Sequence, residues 1–390
     1  RVYSDRNRFL APNDQTWVVP ITLRNLDQPS APPPNVLLTR KEETFTLPGC
    51  SPHLFINRDG RGLYRTAHAP AMLQVEKGLG SALTAAERVT LLSDSGTLMR
   101  LGERTIGDHM GVIESLGHER ARAVVEVILG TLSNIGQNLV DDARRPRFDA
   151  WVTAYLRPLA NELGWEPRPG ESDEDKQLRA SVLGTLGYLG NDPATLARAR
   201  QLAEQALADP KAVDPSMLST IFNLAAYSGD SAWYDRVKAQ MAQAKSPQEY
   251  YRYLYSLTAF RQPELALRSL EYAISADMRN QDMPGFIGSL MGNPASRAAA
   301  WQFVKDHWGD LQKKFTTWGG AGLVASTGAL CDETSREDVK HFFAAHPVAA
   351  AERGLKQALE RIESCVAFRE LQTQNLNAWL EKQPSAHASK

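Results

Sequence analysis

The chain has 390 residues, 43% of them apolar, with 44 basic against 45 acidic side chains. That length exceeds one compact core and implies two or more domains. The near-zero net charge gives no electrostatic reason to expect a nucleic-acid partner or an anionic membrane surface, and no apolar run approaches the roughly 18 residues of a transmembrane span. Arg144-Arg145-Pro146-Arg147 is too short to track phosphates and reads as a solvated helix end. Cys50, Cys331 and Cys365 are few, odd in number and far apart, which argues against a disulfide framework and for separate buried or half-buried thiols. Beginning with Arg1-Val2-Tyr3-Ser4-Asp5, the sequence has the look of a fragment of something longer.

The first 70 or so residues read as strands. β-formers alternate or cluster over 2–10, 17–23, 36–40 with 44–47, and 53–56 with 62–67. Between them lie Pro12-Asn13-Asp14, the proline-rich run from Gln28 to Pro34, Pro48-Gly49, and Arg58-Asp59-Gly60, the last read as a hairpin turn. The expected unit is a small, incomplete antiparallel β-sandwich, since so few strands bury little apolar surface alone. From residue 71 the pattern becomes helical. Thr84 and Glu87 form a capping box at the head of a helix over 84–103, and helices follow over 120–139, 147–163 and 173–189. Asp192-Pro193, Asp214-Pro215, Ser246-Pro247 and Asn293-Pro294 each place a cap before a first-turn proline. Gly164, Gly190 and Gly229 are read as stops with a left-handed backbone. The final helices, 336–345 and 351–380, are separated by Pro347. Starts near 192, 214, 231, 246 and 263 pair into units of about 30 to 40 residues, the range of stacked helical-pair solenoids. The fold class is therefore mostly α: an irregular HEAT/armadillo-like superhelix with a concave face over 71–390, preceded by the sandwich over 1–70.

A search for chemistry returns little. His118-Glu119 lacks the second histidine of a His-Glu-x-x-His zinc helix, and His341 and His346 have the wrong spacing. There is no Gly-x-Ser-x-Gly elbow and no phosphate-cradling glycine loop; Ser93-Asp94-Ser95-Gly96 falls inside a helical pattern. Asp141-Asp142 and the acidic run 171–175 read as solvated carboxylates. No catalytic, metal-ligating or cofactor-binding residue is assigned. The tyrosines of Tyr250-Tyr251-Arg252-Tyr253-Leu254-Tyr255 must spread around one helix, some packing inward and some free to line a surface. Trp301, Phe303 and Trp308 read as core anchors.

Several segments, in order, resemble the C-terminal region of M1-family zinc aminopeptidases. Arg8-Phe9 before Trp17-Val18-Val19-Pro20-Ile21 resembles the family's sandwich strand pattern. Asn57, Gly62, Tyr64 and Arg65 resemble its closing motif, with His68 where tyrosine is usual. Glu87-Arg88 with Leu91-Leu92-Ser93-Asp94 resembles the first helix of the helical domain, and Leu163-Gly164-Trp165 with Leu178-Arg179 a later step. Arg279-Asn280-Gln281-Asp282, Asn293-Pro294 through Arg297, and Ala300-Trp301-Gln302-Phe303 before Trp308 complete the series, with His307 replacing the usual asparagine.

The resemblance implies the third (sandwich) and fourth (helical) domains of such an enzyme, without its zinc ligands, its Gly-x-Met-Glu-Asn loop or its catalytic tyrosine, which lie upstream. Zinc would belong to the parent's catalytic domain, and this chain alone would have no peptidase activity. Its partners would be that domain and peptide substrates, with no nucleic acid and no membrane span. The helical part would cap the active site and control peptide access. Arg297, Arg279, Tyr251 and Tyr255 are the candidates for lining that chamber, although Gly292 stands where some members carry a carboxylate-holding basic residue. The alternative is a free-standing helical-solenoid module that binds a peptide or protein.

Overall fold

The computed structural model describes residues 16–30, 34–47, 51–73, 78–117, 119–316, 319–348 and 350–383. The expected strand over 2–10 with its Arg8-Phe9, the turns at Pro12-Asn13-Asp14 and Pro48-Gly49, and Cys50, His118 and His387 lie outside the described residues. Two compact units are present. One takes the described residues up to Asn134 together with Leu371–Gln383, and the other takes Ile135–Glu370.

The first unit opens with a three-stranded antiparallel sheet of order β2-β1-β3. β1 (Val19–Asn25) is central; Val19 pairs with Leu38 and Thr22 with Asn35 of β2 (Asn35–Leu38), while Leu23 pairs with Ile56 and Asn25 with Leu54 of β3 (Leu54–Ile56). The segments 44–47 and 62–67 carry no strand, contrary to the sequence reading. Over 62–67 the reason is visible, because side chains take the backbone groups that a ladder would use. The Asn57 amide accepts from Gly62 N at 2.7 Å and donates to Gly62 O at 3.0 Å, and Thr66 N donates to Asp94 Oδ2 at 2.9 Å. Gly62 is required here, since a Cβ would fall 2.1 Å from the Tyr64 ring. Arg58-Asp59-Gly60 is likewise no hairpin turn. It is a short 3₁₀ segment with Asn57 (φ 74°) and Asp59 (φ 59°) in the left-handed region, tied to the helices beyond it.

The helices of this unit are α1 (Leu79–Ala82), α2 (Ala85–Arg100), α3 (Ile106–Ser115) and the first part of α4 (Arg122–Asn138). The Thr84–Glu87 capping box is present at the head of α2. The helix expected to reach 103 ends at Arg100, because Gly102 takes φ 74° and Thr105 with Asp108 caps a new helix, α3, that periodicity had not resolved. Glu87, fully buried, does more than cap. Its carboxylate accepts from Thr84 N at 2.9 Å, Arg24 Nε at 2.6 Å and Asp59 N at 3.1 Å. Asp94, on the same helix, accepts from Arg65, Thr66 N and the Thr66 hydroxyl. Residues 371–383 close the unit: Gln372, 1% exposed, accepts from Ile106 N at 3.0 Å and donates to Met99 O and Arg104 O.

The second unit is all helical among its described residues: α5 (Arg145–Leu163), α6 (Asp173–Tyr188), α7 (Pro193–Ala208), α8 (Pro215–Tyr227), α9 (Ser231–Ala242), α10 (Pro247–Ser256), α11 (Pro263–Ile274), α12 (Met283–Gly292), α13 (Arg297–Asp306), α14 (Trp308–Lys314), α15 (Gly319–Ser326), α16 (Glu333–Ala345) and most of α17 (Glu352–Glu381). Sequence neighbours pack as pairs: α5 on α6, α7 on α8, α9 on α10, α11 on α12. Alternate helices also touch, α6 on α8, α8 on α10 and α10 on α12, so one row of the pairs is continuous. Asp192, Asp214 and Ser246 cap their helices before a first-turn proline as expected.

Other expectations need correction. Asn293 is the C-cap of α12, not an N-cap; Ser296 precedes α13. Of the three glycine stops, only Gly164 (φ 65°) takes the left-handed backbone; Asn191 (φ 45°) does so instead of Gly190. Gly190 and Gly229 are needed for close approach, since a Cβ would come within 2.7 Å of the Leu186 and Ala225 carbonyl oxygens respectively. The cysteines are not all separate thiols. Cys331 and Cys365 form a disulfide with Cα atoms 5.3 Å apart, because the 34-residue separation through α16 into α17 folds back on itself. Trp301, Phe303 and Trp308 are core anchors; Trp301 and Trp308 pack edge-on to Phe342, and Trp301 Nε1 donates to Asp338 at 2.8 Å.

Two predictions concern the first unit. Glu87→Gln leaves a buried donor set facing a neutral amide and is expected to cost about 3 kcal/mol in denaturant unfolding. The buried imidazoles of His68 and His109 are each held down to about 4 by burial. His68 stacks on Phe55, and its Nε2 accepts from Ile56 N at 2.9 Å, a role only the unprotonated nitrogen can fill. Their folded values lie below the ordinary 6.5, so the unfolded chain binds more protons between pH 4 and 6.5. The stability each contributes is complete above pH 6.5 and is lost as pH falls toward 4, by up to about 3 kcal/mol per group. Urea midpoints at pH 7 and pH 5 should differ less in His68→Gln than in the parent chain.

Candidate functional site

The tyrosine-rich α10 starts from its Ser246 cap and first-turn Pro247. Tyr253 points into the core, edge-on to Phe222 with ring centroids 5.1 Å apart, and burial and Glu249 push its hydroxyl up to about 12. Tyr251 donates to Asp282 Oδ1 at 3.1 Å and stacks loosely on Tyr255. Tyr255 is 37% exposed. It borders a cavity of about 440 Å³ on the continuous row of helices, formed by Gly184 and Tyr188 of α6, Thr220, Asn223 and Leu224 of α8, Thr258 and Ala259 after α10, Ser289 and Gly292 of α12, and its C-cap Asn293. Small side chains keep it open: nothing stands within 4 Å of where a Gly292 Cβ would sit. Asn293 braces one wall, donating to Thr258 O at 2.9 Å and Phe260 O at 3.0 Å.

A cluster of arginines and tyrosines adjoins this wall. Tyr188 and Tyr227 rings lie 4.8 Å apart, and the Arg261 guanidinium lies 4.1 Å from the Tyr227 ring centre while donating to Tyr227 O. Half-buried Arg297 donates to Met291 O and Asn138 Oδ1, both at 3.2 Å. No described carboxylate lies within ion-pair distance of it, and burial lowers its proton affinity. Arg145 donates to Gly136 O and Val140 O. Asp149 has one buried carboxylate oxygen without a partner among the described residues, and burial raises it to about 6 against the pull of Arg145 and Arg261.

The four candidates from the sequence do not form one site. Tyr255 lines the cavity; Tyr251 is engaged by Asp282, and Arg297 lies beside Tyr188. Arg279 sits elsewhere, 4.3 Å from the Tyr250 ring centre and bordering a different cavity. Sequence reasoning missed Tyr188, Tyr227, Arg145 and Arg261, which come from four different helices or helix ends and carry no shared local pattern. Among the described residues no three His, Cys, Asp or Glu side chains come together to hold a metal ion, and no helix is long and apolar enough to cross a membrane.

The sequence pattern of the ERAP1-like C-terminal domain matches residues 54–364. The chain belongs to this family. It is 25% identical to Aminopeptidase 2 of Candida albicans, covering 96% of this chain and 42% of that protein. It is also 25% identical to Aminopeptidase M1 of Arabidopsis thaliana, covering 92% and 44%, and 24% identical to the glutamyl aminopeptidase of Bitis rhinoceros, covering 89% and 38%. The ERAP1-like chain thus spans about two fifths of the length of these relatives.

Because Asp149 of this ERAP1-like domain is raised from 3.8 to about 6, the folded state binds the extra proton between those values and stability falls as pH rises through them. Asp149→Asn should leave the melting temperature at pH 4 nearly unchanged. At pH 8 it should stabilise by about 1 kcal/mol, a figure already reduced for solvent screening at this partly open site.

Proposed function

We propose that this chain is the non-catalytic C-terminal part of a zinc aminopeptidase that removes N-terminal residues from peptides. It divides into a sandwich portion over 1–70 and a helical domain over 71–390, and the helical domain covers the active site and controls which peptides reach it. Family membership is the observation that carries this reading, supported by the three relatives named above, each an aminopeptidase of more than twice the length. In this reading zinc would be held by the parent's catalytic domain, and no reaction step is assigned to this chain. That domain and peptide substrates are the partners. The chamber-facing surface is the continuous row α6, α8, α10 and α12. Tyr255 offers a ring face to a passing peptide, Arg297 a guanidinium without a carboxylate partner among the described residues, and Tyr251 positions Tyr255. Arg279 would contact substrate only from a separate cavity.

Two measurements test this. The purified chain is expected to release no chromophore from an aminoacyl chromogenic substrate, with zinc added or removed; zinc-dependent turnover that persists through repurification would overturn the reading. In the full-length enzyme, Tyr255→Ala should raise KM for peptides of about ten residues by about threefold to tenfold, a loss of contact worth roughly 1 kcal/mol, and leave the single-residue chromogenic substrate unchanged.

A further inference from the structure

The second unit holds another cavity, of about 600 Å³, which does not belong to the row that carries Tyr255. It is bounded by the end of α9, the linker into α10, the end of α11 and the segment leading to α12. Tyr250 and Tyr255 are five positions apart on α10, about 140° around the helix, so the two tyrosines serve different faces. Four ionisable side chains other than tyrosine border this cavity: Lys238, Lys245, Arg279 and Asp277. Three are cations and one is an anion.

The cations have no carboxylate within ion-pair distance among the described residues. Glu249, the acid nearest Lys245 in sequence, is occupied by Lys245 N at 2.8 Å and the Tyr253 hydroxyl, Asp235, nearest Lys238, pairs with Arg268, and Asp282, three residues after Arg279, accepts from the Tyr251 hydroxyl. Half-buried Lys238 instead lies over the Tyr272 ring at 4.7 Å, and Arg279 over the Tyr250 ring at 4.3 Å. Ring faces hold these groups in place but do not neutralise them. Tyr272 is 6% exposed, and the buried Tyr250 hydroxyl beside it lacks a well-formed hydrogen bond, leaving hydroxyl capacity next to the positive charge.

We propose that this cavity binds a small phosphorylated ligand, with Lys238, Lys245 and Arg279 around the phosphoryl oxygens. The surplus of two positive charges over Asp277 matches a doubly charged phosphate group. The volume exceeds what one phosphate fills and leaves room for the group that bears it. Arginine and lysine together suit a tetrahedral oxyanion with several acceptors better than the single plane of a carboxylate. This site is independent of the aminopeptidase reading.

The test is calorimetric titration of the intact chain with inorganic phosphate, pyrophosphate and succinate, at low and at physiological salt. One-to-one pyrophosphate binding is expected, weakening as salt rises. The double variant Lys238→Gln/Arg279→Gln should weaken it by about tenfold or more, with an unchanged melting temperature in the absence of ligand. Arg297→Gln, at the other site, should leave it unaltered. Absence of binding up to about 10 mM, binding that ignores the double variant, or succinate binding as tightly as pyrophosphate would each overturn the proposal.

Discussion

The first unit depends on one buried carboxylate. Glu87 has no solvent exposure, and burying an ionised group is tolerated only when its oxygens are fully engaged. Its donors come from three places: the head of its own helix, Arg24 on the central strand, and the backbone of Asp59 in the turn after β3. Meeting that requirement fixes the strand, the turn and the helix relative to one another at once. Arg24 also reaches Asp59 at 3.1 Å, so turn and strand are joined twice. Asp94 repeats the device two turns along α2, holding the segment that carries Thr66 and, beyond it, His68. The sheet is too small to be held by its own ladder, and side-chain hydrogen bonds take over that work.

The second unit solves a similar problem differently. Arg179, also fully buried, donates twice to Leu163 O at the end of α5 and pairs with Glu171, so the loop after α5 is stitched to α6. Beyond that joint, repeated helix pairing supplies the apolar burial, and glycines permit the closest approaches. At Gly187 a Cβ would fall 2.7 Å from Leu224, which sets how near α6 and α8 come. The same row spacing leaves the cavity beside Tyr255, so packing economy on one side of a helix creates open volume on the other.

Much of this fold was legible in the sequence because its signals are local. Capping boxes, cap–proline pairs and three-to-four spacing act within one helical turn, and α2, α5, α6, α7, α8 and α10 begin within two residues of where those signals put them. The failures share a cause. Asn293 looked like an N-cap because it precedes proline, but its side chain is committed to the Thr258 and Phe260 carbonyls, more than thirty residues away. The segment 62–67 has strand composition, yet Asn57 and Asp94 take its backbone. Cys331 and Cys365 needed the fold to bring them together. The candidate site was legible only as residue types: that Tyr255 and Arg279 border different cavities follows from helix packing, which no local pattern encodes.

The position of Gln372 has a consequence for how the molecule is made. Its amide satisfies three backbone groups between Met99 and Ile106, across more than 260 residues of chain. Loops of that length close slowly, and residues 135–370 of the second unit lie entirely within this one. During synthesis from the N-terminus, the helical part of the first unit therefore emerges long before the segment that completes it. Until residues 371–383 leave the ribosome, Ile106 N, Met99 O and Arg104 O must stay hydrated or borrow other partners. Of the two units, the one whose described residues come first in this chain is the one completed last.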